Sequence, residues 1–570
     1  MGHSRYIFRM FLLCSFFMSL IVDSGLFMSP GQSFQHAFCA GTCLLALGGL
    51  CICGRNDIRG LSVLAPAGIL SLYIIAHHWL LPSPDLALRK RYLFACTVFP
   101  GFLAIVFSSL KASVRCFLVT VQSISAVEVC VCIAQYAGWT VSDNPYFCVT
   151  GTFVNPNVTA MFLALTVPAW TVYCTQAGRK VRKIAGVGML MLLVTIQVWL
   201  RCRTALMGTA VALVSVTACL YKWPAALYFH GSALKKTLAA LLTAVLFILL
   251  SAACYTVKKG SADARVEIWS ESVSCALKSP VLGHGYGQAE RVLHLARAER
   301  VSQGKATAFD LKAAEPVNTV YNDYLETCLE GGLVHAVLWF GWIIAVLFCF
   351  LKSTRQRKHL TGHEAAACGG VLALLSMSLT NFCTSPIVAA TGLSWLAVLL
   401  QRHIRMPGRR LSVPAFIPLA LLCGYLAAGQ VRFTAASIEM RRLYTHSDHL
   451  SSYALQVRAE HLRPLLQHSD TYWCVLAKIH ERRNEWDKAV GCIRQGLAYT
   501  AFPSVSRKNT SQLQRSDGVA PYHERHVQRQ EYLHHHRPAC PLYSGSVRLL
   551  SPLRQLFSEP DSLVGALHRA

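Results

Sequence analysis

The sequence predicts an all-α fold, a polytopic transmembrane helix bundle of about 12–13 spans with an extramembrane loop and a C-terminal helical-repeat segment. Three observations carry that prediction. Apolar runs of about 18 to 24 residues recur along the first three quarters of the chain, each long enough to cross a hydrocarbon core of roughly 30 Å. Basic residues concentrate in the short loops between alternate pairs of runs. Beyond residue 432 the continuous apolar pattern gives way to amphipathic helical spacing and then to polar sequence.

The predicted spans are 7–28, 34–53, 61–81, 92–110, 116–137, 157–174, 185–200, 204–221, 237–255, 332–351, 365–379, 386–400 and 414–431. With 54% hydrophobic and 14% charged residues, the chain carries far more apolar sequence than soluble cores bury. The first span lacks a small-residue cleavage site after it and reads as a retained helix. The organisation follows: 1–256 holds nine spans, 257–331 is a large loop, 332–432 holds four more spans, 433–503 is a helical-repeat region, and 504–570 is a polar, disordered tail.

A net charge of +26 would suggest nucleic acid in a soluble protein, but its placement excludes that partner. The clusters are Arg55/Arg59, Lys111/Arg115, Arg179/Lys180/Arg182/Lys183, Lys222/Lys235/Lys236, Lys352/Arg355/Arg357/Lys358 and Arg402/Arg405/Arg409/Arg410. With the N-terminus inside, all six fall on the cytoplasmic side, as the positive-inside rule requires. The loop 257–331 and everything after the last span then face outward, and membrane lipids are the expected surroundings. Arg89 to Arg91, Arg201 and Arg203 run against this bias. The 23 cysteines scatter mostly within spans, and no C-x₂-C pair has a partner pair, so they read as small packing residues rather than metal ligands.

The region 470–503 reads as two amphipathic helices broken at Arg482 to Asn484. Trp473, Leu476 and Ala477 on the first, with Ala489, Ile493 and Gly496 on the second, fit a tetratricopeptide-like repeat closing at Pro503. An ordinary helical hairpin fits the same residues. One repeat cannot bury its own face, so 433–469 is expected to supply a neighbouring helical pair. After about residue 506 the periodicity fails, and the run His534 to His536 reads as solvated tail.

Four patterns fall at the outer ends of spans. Gly151-Thr-Phe-Val-Asn-Pro-Asn157 offers Asn155 as an N-cap and Pro156 as the first helical residue, a start that is either plain capping or an anion site. In the turn Arg201-Cys-Arg203 the arginines either snorkel to the interface or bind phosphate through paired hydrogen bonds. Arg265 and Trp269 share a face of a helix expected to start at Ser261 and run to about Lys278, before Pro280 and a loop with Gly283, Gly285 and Gly287. Finally, Asn322, Glu326 and Glu330 lie on one helical stripe entering the tenth span, where acids facing lipid would be costly.

In this order the four patterns resemble the O-antigen ligase and polymerase family of bacterial envelope glycosyltransferases, over roughly residues 140–400. The family's G-T-F-x-N-P-N start matches Gly151 to Asn157, its S-R-G-like turn matches Cys202-Arg203-Thr204, and its R-x-x-x-W helix and G-x-G-x-G loop match Arg265 to Trp269 and Gly283 to Gly287. Its H-N-x-[YF]-L-x-x-x-x-E-x-G segment matches Tyr321 to Gly332, with Tyr321 in place of the histidine. The resemblance implies a multi-pass protein of the bacterial inner membrane with a periplasmic C-terminus. Its donor would be an undecaprenyl-diphosphate-linked glycan, and its acceptor lipid A core, another glycan or a protein. It implies catalytic roles for Arg203, Arg265, Tyr321, Asn322 and Glu330, and substrate binding by Asn155, Asn157, Arg201, Trp269, Gly283, Gly285 and Gly287. No D-x-D pattern occurs in 257–331, so no metal or other cofactor is expected. Repeat-unit polymerisation and protein glycosylation fit the same architecture, and a transporter of lipid-linked glycans is the alternative of another class.

Overall fold

The computed structural model describes residues 112–221 (except 143, 145, 146 and 154), 259–305, 319–355, 360–403 and 451–499 (except 468 and 469), with scattered positions in 69–77 and 428–450. The predicted spans 7–28, 34–53, 92–110, 237–255 and 414–431, most of 61–81, and the polar tail 504–570 lie outside them. The described elements are all helical: α1 (Ala112–Tyr136), α2 (Pro156–Gln176), α3 (Lys180–Trp199), α4 (Arg203–Tyr221), α5 (Lys259–Ala276), α6 (Ala289–Ser302), α7 (Asp323–Arg355), α8 (Gly362–Ser378), α9 (Pro386–His403), α10 (Ser452–Leu466), α11 (Asp470–Arg482) and α12 (Trp486–Tyr499).

Five helices are long and apolar enough to cross a membrane: Val114–Tyr136, Pro156–Gln176, Lys180–Trp199, Arg203–Leu220 and Asp323–Lys352. Each overlaps a predicted span, as do α8 and α9. They differ in what surrounds them. Most of α2 is buried, so its all-round apolar sequence marks a central helix. On α3, Val181, Ile184, Val187 and Met191 are exposed, and on α7 so are Leu333, Val337, Ile344 and Phe348. These surfaces suit lipid.

The bundle closes through small residues. A Cβ added to Gly369 of α8 would sit 2.5 Å from the Val216 side chain of α4, and one on Gly370 2.3 Å from Trp395 of α9. Without hydrophobic drive between helices in lipid, such close backbone approach supplies the packing. Thr361 and Glu364 start α8 with a reciprocal capping box.

Two expectations are corrected. α5 begins at Lys259, so Ser261 lies in its first turn rather than capping it; Gly260 costs little that close to a helix end. The tenth span does not start at Gly332. Its helix starts nine residues earlier, behind the Asn322 cap, and Gly332 (φ 70°, ψ −177°) is a kink within it.

The described residues fall into two compact units, one holding Val149–Val431 with α1 as far as Cys132, the other the residues from Arg432 onward with Ile133–Cys148. In the second unit α11 and α12 form the expected hairpin, broken where Asn484 takes a left-handed conformation (φ 58°). Helical residues within 435–443 and α10 supply the neighbouring pair. Met440, Leu443, Leu455, Leu466, Tyr472 and Trp473 share its core.

Candidate active site

The kink in α7 and the glycine loop build each other. The N–H groups of His284 and Gly285 donate to the carbonyls of Leu329 and Glu330 at 2.8 and 2.9 Å, and Leu333 donates to Pro280 at 2.9 Å. The Tyr73 hydroxyl donates to the Gly331 carbonyl at 2.6 Å. These bonds occupy backbone groups that a kinked helix leaves unpaired. The approach is too close for side chains: a Cβ on Gly283 would lie 2.5 Å from the Glu330 carbonyl, and one on Gly332 would lie 2.0 Å from that of Val281. Glu330 is buried, with Oε1 accepting from the Gly287 N–H at 2.9 Å.

The acidic stripe therefore faces protein. Asn322 caps α7, its Oδ1 accepting from the N–H groups of Tyr324 and Leu325 at 3.0 and 3.1 Å. Glu326 accepts from the Val320 N–H at 3.3 Å. Glu330 lies eight residues beyond Asn322, about 12 Å along the axis.

At the other end of this stripe Arg265 and the start of α4, which carries Arg203, both meet Thr380. The α3–α4 turn closes with the Arg201 N–H on Val198 and the Cys202 N–H on Gln197, a Schellman pattern with Arg201 (φ 52°) at the left-handed position. That geometry leaves Arg201 exposed and starts α4 at Arg203. From α5, half-buried Arg265 donates Nη1 to the Thr380 carbonyl at 2.7 Å, and its guanidinium lies 4.9 Å from the Tyr321 ring centre. Burial lowers the Arg265 pKa; the Tyr321 hydroxyl group opposes this, and the nearby Arg203 charge adds to it. An arginine so perturbed remains a cation at neutral pH. One turn along α5, Trp269 donates to the Val320 carbonyl at 3.0 Å. Tyr321 has φ 54°, a costly conformation for an aromatic residue, and its ring packs on Phe382 at 5.8 Å.

The segment 379–385, between α8 and α9, is the hub. Thr380 also meets the Thr204 hydroxyl at 3.0 Å, and the Cys383 N–H donates to Asp323 Oδ2 at 2.9 Å. The Cys383 thiol lies 3.8 Å from the Met161 sulfur, one turn beyond Asn157, which brings the start of α2 beside the hub. There Asn155 is the N-cap as expected, accepting from the Asn157 N–H at 2.9 Å, with Pro156 first in the helix. The preceding Gly151-Thr152 turn is fastened by buried Glu128 of α1, whose oxygens accept from the Thr152 N–H and hydroxyl, both at 2.8 Å.

The structure thus brings together Arg203, Arg265, Tyr321 and, through one helix turn, Trp269. It joins Glu330 to the glycine loop as a second cluster. Neither nearby histidine is loose: the His284 ring nitrogen meets the Cys275 carbonyl at 2.8 Å, and burial, with the Arg297 charge, lowers the His294 pKa.

Residues 187–340, from within α3 to the middle of α7, match the family model described as O-antigen ligase. This part of the chain is similar to the O-antigen ligase family's domain. The match contains both arginines, the glycine loop and the Tyr321–Glu330 stripe, and supports a membrane glycosyltransferase-like role in O-antigen assembly. No curated protein matches the chain. Sequence reasoning missed the 379–385 hub, Asp323 and Glu128. The run Thr380-Asn-Phe-Cys-Thr-Ser385 looks like an ordinary polar connection between spans, and Asp323 like a common first-turn acid.

Proposed function

We propose that the chain transfers a glycan from an undecaprenyl-diphosphate carrier to an acceptor at the periplasmic face of the inner membrane, in the manner of an O-antigen ligase. One observation carries this reading: Arg265, over the Tyr321 ring, and the start of α4, which carries Arg203, both meet Thr380, close enough for the Arg203 charge to act on Arg265. Two neighbouring arginines suit an anion with several oxygens, and a diphosphate is such an anion.

In the reaction the acceptor oxygen attacks the anomeric carbon, the bond from that carbon to the diphosphate oxygen breaks, and the carrier diphosphate leaves with the electron pair. Arg203 and Arg265 stabilise the charge that develops on the leaving group, the role a divalent metal plays elsewhere. Tyr321, where the family has histidine, relays the acceptor proton, taking it on its hydroxyl oxygen while giving its own proton to water. Asn322 acts by capping the helix that carries this residue, and Glu330 by holding the glycine loop. Asn155, Asn157, Arg201, Trp269, Gly283, Gly285 and Gly287 line the approach of donor and acceptor. The tetratricopeptide-like repeats, also periplasmic in this reading, select the acceptor.

Envelope glycan profiles of a deletion strain test the proposal. Ligation to lipid A core predicts loss of long chains on lipid A with accumulation of carrier-linked polymer. Single-repeat species would indicate polymerisation, and altered glycoproteins alone a protein-directed enzyme.

A further inference from the structure

We infer that Asp323 is a positioning residue: through the 379–385 segment, its buried carboxyl group sets where Arg265 presents its guanidinium group and where the start of α4, which carries Arg203, stands. The inference rests on the glycan-transfer reading for its catalytic consequence, though the geometry is independent of it.

An aspartate at the first position of a helix ordinarily sits in solvent and favours the helix N-terminus through its charge. Asp323 instead is 5% exposed. It is turned into the bundle, where a carboxylate is costly unless its hydrogen bonds are worth the desolvation. Its Oδ2 accepts from the Cys383 N–H at 2.9 Å in a buried contact, and Ser378, the last residue of α8, lies close to the same carboxyl group. One side chain thereby ties the α8–α9 connection to the start of α7. Between Ser378 and Cys383 stands Thr380, whose carbonyl takes Arg265 and whose hydroxyl meets Thr204, the residue after Arg203. Phe382 of the same segment packs on the Tyr321 ring under Arg265. A shift of this segment would move the carbonyl that orients one arginine and the hydroxyl contact beside the other together. Asn322 caps α7 and Tyr324 donates to Leu375 of α8 at 3.0 Å, so the helix that presents Asp323 is itself anchored on both sides of it.

The test compares Asp323→Ala with Asp323→Asn in the full chain, at matched membrane abundance. Asparagine retains a carbonyl that can accept the Cys383 N–H; alanine does not. The first readout needs no turnover. In a background with Cys202→Ser and Cys383→Ser, a Thr204→Cys/Thr380→Cys pair replaces the 3.0 Å hydroxyl contact and should oxidise readily to a disulfide. Asp323→Ala should slow that cross-link by about tenfold or more, and Asp323→Asn should restore it to within about threefold. The second readout is glycan transfer from an undecaprenyl-diphosphate donor. Asp323→Ala should lower kcat by about ten- to a hundredfold, and Asp323→Asn should recover most of it. Asp323→Ala combined with Arg265→Lys should cost less than the product of the single effects. Unchanged cross-linking in Asp323→Ala, or Asp323→Asn as impaired as alanine in both readouts, overturns the inference. Cross-linking that follows the prediction in a chain whose wild type transfers no glycan supports the positioning role and removes the glycan-transfer reading instead.

Discussion

Replacing Arg265 by lysine keeps a positive charge and removes the planar fork. A guanidinium carries five N–H groups, and in the structure Nη1 is engaged with the Thr380 carbonyl at 2.7 Å. The rest of the fork can bridge two oxygens of a diphosphate in this reading. A lysine head that reaches Thr380 holds its three protons on a single nitrogen and cannot span the same two oxygens. It also stacks less well on the Tyr321 ring, which lies 4.9 Å below the guanidinium. Losing one charge-assisted contact to the leaving group in a water-poor site costs on the order of 3 kcal/mol, roughly a hundredfold in rate. The assay is glycan transfer by Arg265→Lys, with Arg203→Lys beside it, at matched membrane abundance. If the arginines only snorkelled, any long cation would serve, so activity within about threefold of wild type in both variants would refute the diphosphate role. Tyr321→Phe completes the panel: it keeps the ring contacts and removes the hydroxyl, and full activity would show that the acceptor proton goes elsewhere.

The remaining predictions follow from single features. Glu271 is buried and binds Arg297 and Arg300, each at 2.8 Å, joining α5 to α6; Glu271→Ala removes this carboxylate from buried Arg297 and should cost about 3–5 kcal/mol, read as earlier protease cleavage between 259 and 305. Protease resistance equal to wild type would contradict that clamp. Gly332→Ala meets both a left-handed backbone and the Val281 carbonyl, so a loss of about 2 kcal/mol or more in membrane-embedded stability is expected, and a neutral effect would mean the kink relaxes freely. Reporter fusions at Gly304 and Gln467 should both read as periplasmic; a cytoplasmic signal at either would break the alternation of the loop charges.

Much of the helical frame was legible because long apolar runs and basic loops are strong signals. The boundaries of α2, α4 and α9 fall within two or three residues of the periodicity reading, and the break at Asn484 is where the amphipathic pattern changes phase. The kink was not legible. Gly331 and Gly332 look like a helix start when read forward, because the contacts that stabilise a bent helix come from the distant Pro280–Gly287 loop. The site was half legible. Arg203 and Arg265 stand out as charges on the wrong side of the membrane or beside an aromatic residue. Glu330 stands out too, but its apolar-boundary position does not reveal that its partner is the Gly287 N–H. Thr380 acts through its backbone carbonyl, which carries no residue signature at all, so no reading of side chains could have found the hub.

The most direct test uses purified full-length chain in lipid, a glycan on undecaprenyl diphosphate as donor, and lipid A core as acceptor. The account predicts a glycan joined to the acceptor together with free undecaprenyl diphosphate, in equal amounts, and loss of both products in Arg265→Lys. Movement of intact donor across the bilayer, with the bond between sugar and diphosphate uncut, would contradict it.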